Sequence, residues 1–123
     1  MEHRELTEKI IACAYRVYNT MGAGFLESVY GKCLVIELRK TGLLVEAQKA
    51  IQVHYNGELV GEFISDLIVN DTVILELKAI KQLAKVHEVQ LVNYLVATGK
   101  PVGLLINFGD EKIEIKRKLR SLK

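Results

Sequence analysis

An α/β domain whose mixed β-sheet is covered by helices is what this sequence predicts. Three observations predict it. Apolar residues recur at helical spacing through residues 4–40, the period shifts to two between Leu43 and Lys78, and a further helical stretch leads into an unbroken apolar run, Val102–Phe108.

In residues 4–20, Leu6, Ile10, Cys13 or Ala14, and Val17 share one helical face and leave Arg4, Glu8, Lys9 and Arg16 to solvent. Gly22-Ala23-Gly24 breaks that pattern. A second helix is expected over residues 26–40, stopped by Thr41-Gly42, where Gly42 suits the left-handed position that follows a helix end. Residues 45–48 and 51–55 alternate as strands, Asn56-Gly57 is a tight-turn pair, and residues 58–69 run back beside them. A turn at Asn70-Asp71-Thr72 leads into a third strand over residues 73–78. Residues 81–98 carry Leu83, Val86, Val89 or Gln90, Tyr94 and Leu95 at helical intervals, closed by Gly99-Lys100-Pro101. The run after it reads as a strand buried on both faces, and a strand–helix–strand unit requires a crossover that sets it parallel to the third strand.

A chain of 123 residues and 13.9 kDa is one domain, residues 1–123, able to build a core without staples. No apolar run reaches membrane-spanning length and the first residues lack a signal-peptide pattern, so no membrane association and a cytoplasmic location are expected. Cys13 and Cys33 lie within apolar helical patterns and read as buried, reduced thiols. A net charge of +2 is too small to name a partner.

Three ionisable residues interrupt the apolar strands: Asp66, Glu76 and Lys78. A charge taken out of water must be paired, hydrated in a cleft or bound to a metal. With a three-residue loop at 70–72, Val69 faces Val73, Ile68 faces Ile74, Leu67 faces Leu75, and Asp66 falls opposite Glu76. One face is then apolar and the other carries Asp66, Glu76 and Lys78. A two-residue loop would instead put the carboxylates on different faces; the three-residue loop is the expectation. Two carboxylates about 5 Å apart repel each other unless a cation lies between them. All-oxygen ligation favours a hard ion, Mg²⁺ or Mn²⁺, and Lys78 would point its ammonium at an anion held there.

At these residues a family resemblance enters. Asp66 followed by Glu76-Leu77-Lys78 resembles the D…(D/E)-x-K signature of the PD-(D/E)XK nuclease superfamily. Gly24-Phe25-Leu26-Glu27-Ser28-Val29-Tyr30 is similar to the G-x-x-E-x-x-Y motif of the small GxxExxY proteins, a branch of that superfamily. The likeness runs on through Ala79, Val86-His87-Glu88-Val89-Gln90-Leu91, Tyr94-Leu95 and Gly103 to Phe108, covering residues 21–108.

The resemblance implies a restriction-endonuclease-like sheet in the order α-α-β-β-β-α-β, and Mg²⁺- or Mn²⁺-dependent hydrolysis of phosphodiesters in nucleic acid, with DNA the expected substrate. It makes Glu27 a third metal ligand, where helix position alone allows a residue complementing the helix dipole. Tyr30 is left between core packing and substrate contact. Gln90 and Tyr94, which share a helix face with His87, resemble the Q-x-x-x-Y element that helps orient DNA and the lysine; residue type alone allows a polar stripe with a packed tyrosine. Ser65 stands where the superfamily carries proline.

The tail from Lys112 alternates as an extra C-terminal strand. Lys116, Arg117, Lys118 and Arg120 either guard that strand's edge or neutralise phosphates without regard to sequence. Two rival readings accompany the nuclease: a non-cutting module of the same fold that grips nucleic acid, and a structural protein in which Lys78 is the counter-ion of Asp66 and Glu76. A domain this small has little surface for a duplex, so a homodimer is expected.

Overall fold

A computed structural model describes residues 3–120; the first two residues and the last three of the charged tail lie outside them. Helix α1 (Arg4–Met21) and helix α2 (Glu27–Lys40) precede strands β1 (Val45–Tyr55), β2 (Glu58–Val69) and β3 (Val73–Lys78). Helix α3 (Lys85–Thr98) then crosses to β4 (Val102–Phe108), and β5 (Ile113–Leu119) closes the sheet. The strand order is β1-β2-β3-β4-β5, with β3 and β4 parallel and every other pair antiparallel. This mixed, helix-flanked sheet is the restriction-endonuclease-like arrangement, and the terminal strand is present.

The sheet carries a core on each face. On one side Leu67, Val69, Val73, Leu75 and Leu77 join Leu104 and Ile106 against α1 and α2. On the other, Ile68, Ile74 and Leu105 meet Leu91 and Leu95 of α3. Because β3 and β4 have helices over both faces, their residues are apolar almost without alternation. At Gly103 a Cβ would lie 2.8 Å from the Leu91 side chain and 3.2 Å from the Ile74 carbonyl, so α3 approaches the sheet only because that residue has none.

The β2–β3 connection fixes the register. Asn70 and Asp71 both hold positive φ, 50° and 52°, and the Thr72 N–H bonds the Val69 carbonyl at 3.0 Å. This is the mirror-image turn that matches strand twist, in residue types that tolerate left-handed backbone. Thr72 adds one residue beyond it, and the strands pair Val69 with Val73, Ile68 with Ile74 and Leu67 with Leu75, as a three-residue loop requires.

Two expectations shift. The extended stretches expected at 45–48 and 51–55 form one strand, bent at Gln48, whose φ is 53°. The crossover helix begins at Lys85, not near 81, because the preceding chain is tied down. The buried Asn107 side chain accepts from the Ile80 N–H and donates to the Ile80 carbonyl, each at 2.9 Å, so both backbone groups of residue 80 are taken up outside any helix. Cys13 is buried and Cys33 half-buried, both as free thiols.

Candidate active site

The β2–β3 ladder ends at Leu67 and Leu75, and beyond it the strands part. On the other flank, the β1–β2 pairing passes from Ala47–Leu67 to Lys49–Ser65 and skips Gln48 and Asp66. Asp66 thus sits where strand pairing fails on both sides. Buried backbone N–H groups still need acceptors, and the carboxylates supply them. Asp66 Oδ2 accepts from the Leu77 N–H at 2.7 Å, and Glu76 Oε2 accepts from the Asp66 N–H at 3.2 Å. The two acids are interlocked across the fork, each with a second oxygen, Oδ1 and Oε1, available as a ligand atom.

Their electrostatics follow from this placement. Burial, then the charge of Asp66, pushes the Glu76 carboxyl up to about 7, against the opposing pull of the Asp66 N–H and Lys78. Burial raises Asp66 as well, against the Leu77 N–H and Lys78. Glu27, the first residue of α2, is exposed as a residue, yet its carboxyl lies close enough to the strands that partial desolvation and then Asp66 raise its pKa, opposed by Lys78. Lys78 therefore acts on all three acids, but no ion pair among the described residues involves it.

The loop that delivers Glu27 is held by Tyr30. This residue is fully buried, stacked on Phe108 with ring centroids 4.5 Å apart, and its hydroxyl donates to the Gly22 carbonyl at 2.5 Å while accepting from the Phe25 N–H at 3.3 Å. Tyr30 is a core residue that shapes the approach to Glu27. From α3, Tyr94 stacks on Phe63, centroids 3.7 Å apart and planes 11° from parallel. Burial raises the pKa of its phenol, and the charges of Glu76 and Asp66 raise it further, so the phenol lies within electrostatic reach of the acids. Gln90 lies exposed on the same helix, and His87 turns Nδ1 inward to accept from the Ala84 N–H at 3.0 Å, as a helix cap.

The fork thus joins Asp66 and Glu76 directly, with Glu27, Lys78 and Tyr94 within electrostatic reach of them. Asp66 also lines a cleft beneath α2, and Tyr94 on α3 feels the charge of both Glu76 and Asp66. The basic residues of β5 are not brought to the acids. Register runs from Glu76 through Leu105 to Lys116, two strands away, and Arg117 and Lys118 lie farther toward the opposite end of β3. Lys118 pairs with Glu88, the Arg117 guanidinium donates to Thr7, and that of Arg120 donates to the Gly99 carbonyl.

Among the described residues, no three His, Cys, Asp or Glu side chains are already gathered closely enough to ligate one ion. The donor set nevertheless suits a hard divalent cation: it is all oxygen, it holds carboxylates whose pKa values are raised by burial and mutual repulsion, and Asp66 and Glu76 each keep one oxygen outside the backbone bonds. Ser65, in place of proline, is buried within the ladder opposite Lys49 and its hydroxyl meets the Lys49 carbonyl at 3.4 Å, so the substitution leaves Asp66 in position.

A family model for the PD-(D/E)XK nuclease superfamily matches residues 4–118. The chain belongs to the PD-(D/E)XK nuclease superfamily. Among solved structures, a crystal structure of SSO0001 superposes with a TM-score of 0.62 at 16% sequence identity, covering 98% of this chain and 61% of that one. That likeness carries the fold, and this chain spans about three fifths of the length of that protein. No curated protein matches the chain. No helix among the described residues is long and apolar enough to cross a membrane.

Proposed function

We propose that this PD-(D/E)XK protein is a metal-dependent nuclease of the GxxExxY branch, hydrolysing phosphodiester bonds in nucleic acid, with DNA as substrate. The observation that carries the reading is the interlocked Asp66–Glu76 pair at the strand fork, with Lys78 beside it and in no ion pair among the described residues. A structural role for the acids would call for Lys78 as their direct partner.

Asp66 Oδ1, Glu76 Oε1 and the Glu27 carboxylate would hold Mg²⁺ or Mn²⁺ after a rotation of Glu27 toward the strands. The chemistry a bound divalent ion supplies is polarisation of the phosphoryl oxygens and a readily ionised water. Lys78 places a positive charge where negative charge develops on the phosphate. The Tyr94 phenol, kept protonated by the neighbouring acids, donates a hydrogen bond into the same space, with Gln90 positioned to touch the strand outside it. Lys116, Arg117, Lys118 and Arg120 serve phosphates remote from the reacting one. The working unit is proposed as a cytoplasmic homodimer; a 14 kDa species in gel filtration overturns that part.

Calorimetric titration of Mg²⁺ and Mn²⁺ into wild type and Glu76→Ala, followed by cleavage assays on single-stranded, duplex and branched DNA and on RNA, tests the proposal. Metal-dependent cleavage lost in Glu76→Ala and in Lys78→Ala is expected. No metal heat in wild type, together with higher stability in Glu76→Ala, refutes it. The dispersed arrangement of the three acids favours one second reading, a non-cutting module, and metal binding without cleavage of any substrate is its signature.

A further inference from the structure

A cleft beside the acids, about 500 Å³, opens between α2 and the outer strands and shares Asp66 and Glu27 with the candidate site. Val35, Ala47, Leu67 and Leu77 give it apolar walls, while Lys32 and Gln48 stand at its rim. Gln48 is there because of a local departure: a non-glycine residue at φ 53° within a strand, opposite the unpaired Asp66. Such backbone is uncommon inside a strand and gathers at functional sites.

A phosphodiester reacting at Asp66 and Glu76 carries a nucleoside on each side, and the cleft that Asp66 lines is within reach of one of the two. Its size falls within the range of about 300–1,000 Å³ that small organic ligands occupy. Apolar walls suit the faces of a nucleobase, the Gln48 amide can pair with a base edge, and Lys32 offers a cation to the next phosphate. A base still stacked within a duplex cannot enter; a base in a single strand or frayed end enters at the least unstacking cost.

We propose that this cleft is a nucleoside subsite that takes the unstacked base next to the scissile phosphate, making single strands and frayed ends, rather than intact duplex, the substrate class. The inference rests on the nuclease reading above. It assigns Val35, Ala47 and Gln48 to base recognition and Lys32 to the neighbouring phosphate.

The test is equilibrium binding, read by fluorescence anisotropy with Ca²⁺ as the cation, of a labelled single-stranded DNA oligonucleotide, its duplex, and single strands with one abasic position moved along the sequence. Wild type should prefer the single strand by about tenfold, the scale expected for one accommodated base, and one abasic register should lose most of that preference. Ala47→Phe, at an exposed position on the outer strand where the fold has room, should abolish the preference while its heat of Mg²⁺ binding stays that of wild type. Equal affinity for duplex and single strand, or no effect of any abasic position, overturns the subsite while leaving metal-dependent cleavage standing. Absence of metal heat and of binding to every nucleic acid overturns both readings. The abasic arm leaves the protein unaltered, so it decides even if the variant folds poorly.

Discussion

Replacing Glu76 by glutamine should stabilise the metal-free protein at pH 8 and leave it almost unchanged at pH 4. The carboxyl is raised from its ordinary 4.5 to about 7 by burial and by Asp66. The folded state therefore holds that proton more tightly than the unfolded chain does. Its contribution to stability is complete below pH 4.5, declines as pH rises, and is gone above about 7, where folding requires a buried charge beside another. At about 1.36 kcal/mol per pH unit the difference amounts to about 3 kcal/mol as an upper bound. Glutamine is neutral throughout and keeps an oxygen for the Asp66 N–H, so Glu76→Gln escapes the penalty without losing that bond. For a domain of this size the gain corresponds to about 10 °C in Tm. Thermal melts of both proteins from pH 4 to 8 in chelator should show curves that coincide at pH 4, diverge from about pH 4.5 and keep a constant separation above about 7. Saturating Mg²⁺ should then raise wild type toward the variant, since a ligand at one hundred times its Kd contributes about 2.7 kcal/mol. Parallel melting curves, or a variant that melts lower at pH 8, would refute the reasoning that burial beside Asp66 governs this carboxyl.

Other consequences can be measured separately. Gly103→Ala forces a Cβ to 3.2 Å from the Ile74 carbonyl, which cannot yield as a side chain can, and should cost about 1–3 kcal/mol in urea denaturation. Asn107→Ala strands the N–H and C=O of Ile80; a loss of about 2–4 kcal/mol and faster hydrogen exchange across residues 79–84 are expected, and unchanged exchange there would show that the clamp does not hold the segment. Tyr30→Phe removes a hydroxyl bonded to both Gly22 and Phe25 while keeping the ring stack, and should cost about 1–3 kcal/mol, with weaker Mg²⁺ binding if that loop positions Glu27.

The large features of this fold follow from periodicity. The β2–β3 register follows from counting loop residues, a local property, and the structure realises it with positive φ at Asn70 and Asp71. The crossover from β3 to β4 followed from a helix between two apolar runs. What the sequence concealed depends on side chains reaching the backbone of distant segments. Asn107 looks like one more member of an apolar strand, and only its bonds to Ile80 explain the late start of α3. Asp66 and Glu76 were visible as anomalies in apolar runs, but their interlock was not, because alternation presumes a continuous ladder and here two carboxylates replace it. Gln48 gave no warning at all: nothing about glutamine foretells left-handed backbone, and the bend shows only against the gap in pairing opposite Asp66. The basic cluster was evident by composition, yet strand direction carries most of it away from the acids, which no count of charges could reveal.

The hairpin joining β2 and β3 makes the candidate site depend on a length rather than on a chemistry. Exchanging Thr72 for serine alters nothing that the strands can feel, whereas removing that residue shifts β3 one step along β2, so that Glu76 no longer stands across from Asp66 and the bonds that interlock them are lost. Heat of Mg²⁺ binding that survives Thr72→Ser and vanishes on deletion of the same residue would mark the connection as a ruler. Descendants of this chain could then change residue 72, within the backbone demands of Asn70 and Asp71, while being unable to gain or lose a residue there.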